Sequence, residues 1–409
     1  MNEVPRRSLA TPSEGRAGFA GAAARISRAE LLRRAALGGA MLSIPGFAAA
    51  CGGGDGDAAG TTTAGPKELA DTMRMSNWTL YIDRDEKTKK SPTLEQFKQK
   101  TGVTVRYFED VNDNATFFGK IQRPLSQGQS VDRDIVVMTD NSRFPGLMID
   151  KGWAEKLDKS AIPNMVNLQD SLKHPGFDPD REYSLPWTSG MTGIATNLKV
   201  NPKPVTSIER LLEDPKLKGK VTLLTEMGDT IALVMLANGD DPTKVDDTSF
   251  QRAIDRIQSA LNSGQIRQFT GNDYTGPLSR GDFAASMSWS GDVVQLTVDN
   301  PKLVWNLPDS GGDIWTDNML IPKGGDAYTA STFMNFVYDP KIAAQLAAYI
   351  NYVSPVKGAK EETRKIDPTL ADNPLIFPDD ETLSKVVIFD TKALNNQDYI
   401  EKWQTLIGS

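Results

Sequence analysis

Two hydrophobic periods alternate along this chain from residue 73 onward. Residues 73–80, 103–108 and 134–139 are short apolar runs of strand length, while 91–101 and 115–126 carry the three-to-four spacing of amphipathic helices, the first stopped by Gly102. The run D-I-V-V-M-T at 134–139 is apolar between polar flanks, as expected of a strand buried on both faces. A helix is predicted over 142–151, then a strand over 192–196 that crosses to a second domain. A second cycle follows: helix 207–213, strand 220–224, helices 230–238 and 248–263, strand 283–289 and helix 291–298. The alternation predicts an α/β fold of parallel sheets covered by helices, with ligand held beyond the carboxyl ends of the strands. Several aromatic residues stand at such ends.

The first 50 residues break the pattern. Arg6, Arg7, Arg16, Arg25, Arg28, Arg33 and Arg34 precede an apolar stretch at 35–50, too short and too interrupted by Gly38, Gly39, Pro45 and Gly46 to span a bilayer, which needs about 20 apolar residues. This reads as a cleavable export signal. Ala48, Ala49 and Ala50 before Cys51 resemble the lipobox of bacterial lipoproteins, which implies lipidation of Cys51 and a mature chain that begins there. Arg33-Arg34 with Leu37 resembles a twin-arginine export motif, and a general secretory signal is the competing reading. Residues 51–71, rich in Gly, Ala, Thr and Asp, cannot bury a core and are expected to form a flexible tether.

Charge and scarce residue types narrow the chemistry. The chain carries a formal net charge of −7, and the basic first 50 residues, with 7 Arg against 3 Glu, leave −11 on the rest. Such an acidic surface disfavours nucleic acid and draws cations. His174 is the sole histidine and Cys51 the sole cysteine, so neither a histidine base, a His/Cys metal site nor a disulfide is expected, and no phosphate-binding or dinucleotide fingerprint occurs. No cofactor is implied.

Seven strings carry a resemblance in matching order: S-N-W-T-L-Y from Ser76, D-I-V-V from Asp134, S-L-P-W from Ser184, G-K-V-T-L-L-T-E from Gly219, S-W-S-G-D from Ser288, I-W-T-D-N-M-L-I-P from Ile314 and I-N-Y-V-S-P from Ile350. Together they resemble the polyamine-binding proteins of bacterial ABC importers, over essentially the whole chain from about residue 72. The resemblance implies a two-lobed periplasmic-binding-protein type II fold, each lobe a mixed sheet flanked by helices, with a hinge between them. One lobe would join 72–187 with 319–366, the other 188–318 with 367–409. Ligand would lie in the cleft, and closure would be a hinge motion. The implied partners are a polyamine (putrescine or spermidine), an ABC permease with its ATPase subunits, and the outer face of the cytoplasmic membrane through Cys51. The protein is expected to be a monomer and not an enzyme.

A polyamine is a methylene chain bearing separated ammonium groups, so its host needs aromatic faces along the stem and carboxylates at the charged ends. By resemblance, Trp78, Tyr81, Trp289, Trp315 and Tyr352 would form an aromatic box, Asp292 and Asp317 would clamp ammonium groups, and Thr79 and Thr139 would contact an amine. Asp292 also opens a predicted helix, where an acid favours the dipole. Trp153, Trp305 and Trp403 read as packing residues.

This sequence departs from the spermidine-preferring pattern at the distal amine. The two acids expected a helical step apart fall on Met227 and Thr230, with acids one place earlier at Glu226 and Asp229. Asn141 stands where an aromatic is common, and Phe389 near a family glutamine. Glu109 and Asp110 are candidate replacement charges or a solvated loop. A receptor for another small solute, such as a sugar or amino-acid derivative, is the alternative within binding proteins. An envelope carbohydrate-active enzyme is the alternative outside them, since two acids can suffice for glycoside hydrolysis.

Overall fold

In the computed structural model, which describes residues 67–408, strand β1 (Thr72–Trp78) sits between β2 (Thr104–Val111) and β3 (Ile135–Thr139), parallel to both. Helix α1 (Pro92–Thr101) connects β1 to β2. The Ser91 hydroxyl caps its start by accepting from the Leu94 amide, and Gly102, at φ 84°, ends it in a left-handed turn. Helix α2 (Asn114–Ser126), capped by Asp113, returns the chain to β3, and α3 (Phe144–Asp150) follows. All five residues of β3 are buried. Full burial of Ile135, Val136 and Val137 contributes roughly 1.5–3 kcal/mol each.

After the short β4 (Ala154–Glu155) comes β5 (Ser184–Asn197), fourteen residues, every one buried. A second parallel cycle then runs through α4 (Ile208–Glu213), β6 (Val221–Leu224), α5 (Met227–Asn238), α6 (Asp247–Asn262), β7 (Ile266–Thr270), α7 (Thr275–Arg280), β8 (Ala285–Trp289) and α8 (Ser290–Asp299). The first nine residues of α5 are buried, so it is an interior helix, whereas α6 buries only Ser249 and its Phe250–Ala253–Ile254–Ile257–Ala260 stripe. β9 (Leu303–Asn306), β10 (Gly312–Pro322), α9 (Ala327–Val337), α10 (Pro340–Ile350), α11 (Ala359–Ile366), β11 (Val386–Val387) and α12 (Gln397–Ile407) complete the chain.

The strands form one sheet in the order β2-β1-β3-β10-β5-β8-β6-β7, with β4 and β11 pairing to β10 and β9 to β5. Its two outer groups are parallel, as the alternation predicts. Its middle is not, because β10 pairs antiparallel with both β3 and β5, and β5 pairs antiparallel with β8. The expected strand at 192–196 is thus the far end of a much longer one that runs from one half of the fold into the other. Helix α5 begins at Met227, three residues before the predicted 230. The expected signal and Cys51 lie outside the described residues. Among the described residues no helix is long and apolar enough to cross a membrane.

Candidate functional site

The cleft is lined by residues from the ends of β1, β3, β8 and β10 and from the start of α5. Trp78, Tyr81, Thr139, Asn141, Glu226, Asp229, Trp289, Trp315 and Asp317 form its wall. Eight of these nine are residues expected from the sequence, and Asn141 is the ninth. Of the remaining expected residues, Tyr352 backs the wall, Asp292 lies behind Tyr352, and Thr79 is half-buried in the turn after β1.

Two backbone turns aim the tyrosines. Leu80 and Asn351 have φ of 62° and 58°, and each immediately precedes a tyrosine of the site. A left-handed non-glycine residue costs roughly 1–2 kcal/mol, less for Asn. Leu80 swings Tyr81 back beside Trp78, with ring centroids 6.4 Å apart, and Asn351 ends α10 and brings Tyr352 within 4.9 Å of Tyr81. Trp289 meets Trp78 edge-on at 5.5 Å and Trp315 at 6.2 Å. Trp315 and Tyr352 pack 5.8 Å apart over Gly190. A Cβ at Gly190 would come within 2.5 Å of Trp315 and 2.8 Å of Tyr352, so only glycine fits beneath the two rings. The rings pack against one another across the cleft.

The carboxylates differ in how fully the protein satisfies them. Asp292 accepts from the Tyr352 hydroxyl at 2.8 Å, the Tyr274 hydroxyl at 2.9 Å and Asn272 Nδ2 at 2.6 Å. It holds the aromatic wall in place. Asp229 accepts from Trp289 Nε1 at 3.1 Å, from Asn141 Nδ2 at 2.8 Å and from the Thr192 hydroxyl, which also receives Trp315 Nε1 at 2.9 Å. Asp317 is different. Its Oδ1 accepts from the Thr139 hydroxyl at 2.7 Å, while Oδ2 is buried without a hydrogen bond of good geometry, the Tyr81 hydroxyl standing close enough to pull on the carboxyl. Glu226, at the start of α5, accepts from the Asn114 amide at 2.7 Å and from Asn114 Nδ2 at 3.0 Å, and Asn114 also holds Thr139.

Burial is the first cause of the raised carboxyl pKa values here. It pushes Asp317 and Glu226 up to about 8 and Asp292 up to about 6, and raises Asp229 as well. For Glu226 the neighbouring Asp113 adds to the rise. Such a cluster of acids favours a cation between them.

Other candidates are engaged elsewhere. Glu109 receives the Leu80 amide at 3.3 Å and Asp110 pairs with Arg133 at 3.0 Å. Met227 lines a separate hollow with Asp113, Arg143 and Trp403, and the Thr230 hydroxyl donates to the Leu224 carbonyl at the end of β6, while Glu226 and Asp229 both face the cleft. Trp153 packs near Phe118, Trp305 donates to the Ser288 carbonyl and Trp403 to the Thr225 carbonyl. Sequence reasoning missed Asn114, Thr192, Asn272, Tyr274 and Asp313. Asp313 had a readable signal, since D-I-W-T-D on a strand puts both acids on the face of Trp315. Among the described residues no group of three or more His, Cys, Asp or Glu is arranged to hold a metal ion.

A mixed sheet closed around an aromatic, acid-lined cleft, with covalent continuity between its halves, defines a two-lobed solute-binding protein of the periplasmic-binding-protein type II fold. The chain belongs to the bacterial extracellular solute-binding protein family, whose pattern matches residues 93–378. It is 27% identical over 319 residues to the spermidine/putrescine-binding periplasmic protein of Salmonella typhimurium, covering 77% of this chain and 85% of that one. The protein of the same description from Escherichia coli is 28% identical over 316 residues (76% and 84%), and the putrescine-binding periplasmic protein SpuD of Pseudomonas aeruginosa 25% over 364 (84% and 94%). Among solved structures, the TpPotD lipoprotein of Treponema pallidum superposes with a TM-score of 0.67 at 21% identity, covering 83% of this chain and 100% of that one. PotD of Streptococcus pneumoniae gives 0.63 at 22% identity, with the same coverage. These two likenesses establish the fold alone.

Proposed function

We propose that this protein is an extracytoplasmic receptor that captures a polyamine, putrescine or spermidine, between its lobes and delivers it to an ABC importer. The observation that carries the reading is the Asp317 Oδ2 atom, a buried acceptor that makes no hydrogen bond of good geometry and lies beside Trp78, Tyr81, Trp289 and Trp315. An ammonium group supplies the missing donor, and the aromatic faces hold the methylene stem by apolar contact and cation–π attraction. The spermidine- and putrescine-binding names of the relatives support the same solute class.

In this reading Trp78, Thr79, Tyr81, Thr139, Glu226, Asp229, Trp289, Asp292, Trp315, Asp317 and Tyr352 serve the ligand, some directly and some by bracing the rings. Residues 72–187 with 319–366 form one lobe and 188–318 with 367–409 the other. The pairing of Trp403 with Thr225 and of Tyr399 with Asp247 supports grouping the C-terminal helix with the second lobe. Residues 1–50 serve as the export signal, and 51–71 tether the monomer to a lipid on Cys51. A permease with its ATPase subunits receives the closed receptor, and the protein itself performs no chemistry.

Isothermal titration of residues 67–409 with putrescine, spermidine, spermine and a neutral sugar tests the reading. One-to-one heat with an amine and none with the sugar is expected; binding of the sugar alone overturns it.

A further inference from the structure

We infer that Asn114 couples capture of the amine to closure of the cleft: on one side it holds the acid Asp317 through Thr139, and on the other it receives Glu226 from the opposite half of the fold. Glu226 then seals the cleft instead of gripping an ammonium. The inference rests on the polyamine reading above and adds to it a positioning residue and a distinct role for Glu226.

Asn114 opens α2, which follows β2 at one end of the strand order, whereas Glu226 stands just before α5, which follows β6 near the other end. The two meet across the cleft. Glu226 Oε1 accepts from the Asn114 backbone amide at 2.7 Å and from Asn114 Nδ2 at 3.0 Å. That backbone amide belongs to the first turn of α2, whose N–H groups have no partner within the helix, so an acid arriving there gains a donor and the positive end of the helix dipole. Asp113 already accepts from the Thr116 amide of the same turn at 2.7 Å. Asn114 and Glu226 are both buried, so the contact excludes water.

The Asn114 side chain is oriented from the ligand side. Its Oδ1 accepts from the Thr139 amide at 3.0 Å, which sets the carboxamide, and its Nδ2 hydrogens go to the Thr139 hydroxyl oxygen at 3.0 Å and to Glu226. The Thr139 hydroxyl has a single hydrogen, and it donates this to Asp317 Oδ1 at 2.7 Å. A continuous line of hydrogen bonds thus runs from Asp317 through Thr139 and Asn114 to Glu226. An ammonium at Asp317 favours the carboxylate, the carboxylate holds the Thr139 hydrogen, and a Thr139 oxygen so committed accepts from Asn114. A protonated Asp317 no longer demands that hydrogen, and burial, which pushes its pKa up to about 8, favours the proton when no cation is near. Ligand at Asp317 therefore orders the two donors on which Glu226 lands.

Glu226 also stands between two hollows. It lines the cleft with Tyr81 and Asp317, and it lines the hollow that holds Met227 and Trp403; Asn141 is the other residue common to both. Asn141 is fixed by its donation to Asp229 at 2.8 Å and by the first turn of α5, which packs onto its backbone: a Cβ at Gly228 would come within 2.6 Å of the Asn141 carbonyl oxygen. Glu226 is thus the part of the partition that moves when the halves separate. Parting it from Asn114 joins the cleft to the outer hollow and opens a way out for the amine. The contact forms only once the halves have met, so its loss speeds release and leaves the first encounter alone.

The test is stopped-flow tryptophan fluorescence with putrescine and with spermidine, read through Trp78, Trp289 and Trp315, with isothermal titration for affinity and thermal melting as the folding control. Asn114→Asp keeps the shape of the side chain but turns an acceptor toward Glu226, and Glu226→Ala removes the accepting oxygen. Both are expected to speed dissociation about tenfold or more, by the same factor for the two amines, with association within about threefold of wild type. Glu226→Gln keeps an accepting oxygen and should dissociate at least about fivefold more slowly than Glu226→Ala. A loss in Glu226→Gln as large as in Glu226→Ala means that the charge of Glu226 grips an ammonium, and overturns the inference. Losses that differ between the amines, that fall on association, or that are absent overturn it too, and leave the polyamine reading intact; silence of wild type with both amines overturns both. If Asn114→Asp fails to fold, Asn114→Ser takes its place, and the two Glu226 variants decide on their own in any case.

Discussion

Asn112 and Asn272 follow β2 and β7, the two opposite ends of the strand order, yet the Asn272 amide donates to the Asn112 carbonyl at 2.9 Å. The sheet therefore curls until its edges meet across the cleft. The Asp273 amide donates to Asn112 Oδ1 at 3.1 Å and strengthens the contact. Between them lies Gly271, where a Cβ would come within 2.3 Å of the Asn112 carbonyl oxygen. The Asn112 side chain, whose Nδ2 would lie 2.6 Å away, could turn aside, but the backbone carbonyl could not.

Gly271→Ala should therefore hold the cleft ajar. Amine affinity is expected to fall at least tenfold, and small-angle scattering should show the variant more extended than wild type at saturating ligand. A variant that compacts like wild type removes this contact from the closing motion.

Asp317→Asn keeps the shape of the side chain and its contact with Thr139 but removes the carboxylate charge at Oδ2. Truncating one partner of a buried charged pair costs about 2–5 kcal/mol, so amine affinity should drop about 100-fold. The ligand-free melting temperature should not fall, because the lost group is an acid already penalised by burial. Unchanged titration heat would remove Asp317 from the site.

The raised acids also fix the direction of two pH effects. Asp317 and Glu226 hold their protons to about pH 8 in the folded protein, whereas unfolded carboxyls release theirs near pH 4. Between those values the folded form binds more protons, so these groups favour folding at low pH and lose that advantage as pH rises through 8. Thermal melts of ligand-free protein should show this decline, relative to the Asp317→Asn variant, between pH 5 and pH 8. Amines stay charged across this range, so a bound ammonium replaces protons: affinity should rise from pH 6 to pH 8 and level off above. Titration at pH 7 in buffers of different ionisation heat should reveal proton release, and its absence would mean the carboxyls are already ionised.

Gly190→Ala tests the ring packing. The added methyl would overlap Trp315 and Tyr352, and overpacking of this kind costs about 1–3 kcal/mol. Both the melting temperature and amine affinity should fall. Retained affinity would show that the two rings can move apart without cost to the ligand.

The outer strands and helices were legible because their patterns are local. The apolar run of β3, the Ser91 cap and the Gly102 stop each act within a few residues of themselves. The central strands were not, for the reason that makes them useful. β10 carries Asp313, Asp317 and Asn318, poor strand formers, and it is held by pairing with β3 and β5 rather than by its own preference. β7 was missed because Arg267 and Gln268 face solvent at the sheet edge. The aromatic wall was legible only through the family resemblance of the strings that carry it, and the structure gathers Trp78, Trp289 and Trp315 at one place. The bracing residues could not. Asn114 links Thr139 to Glu226, and Asn272 and Tyr274 hold Asp292, through contacts that no local spacing records.

Strands β5 and β10 are each a single length of backbone that belongs to both halves. A protein built of two beads on a string can lose, duplicate or exchange one bead by a simple cut. Here a cut at the middle would leave each piece with severed strands and raw hydrogen-bonding edges. Neither half can therefore complete its own sheet without strands that the other half also holds.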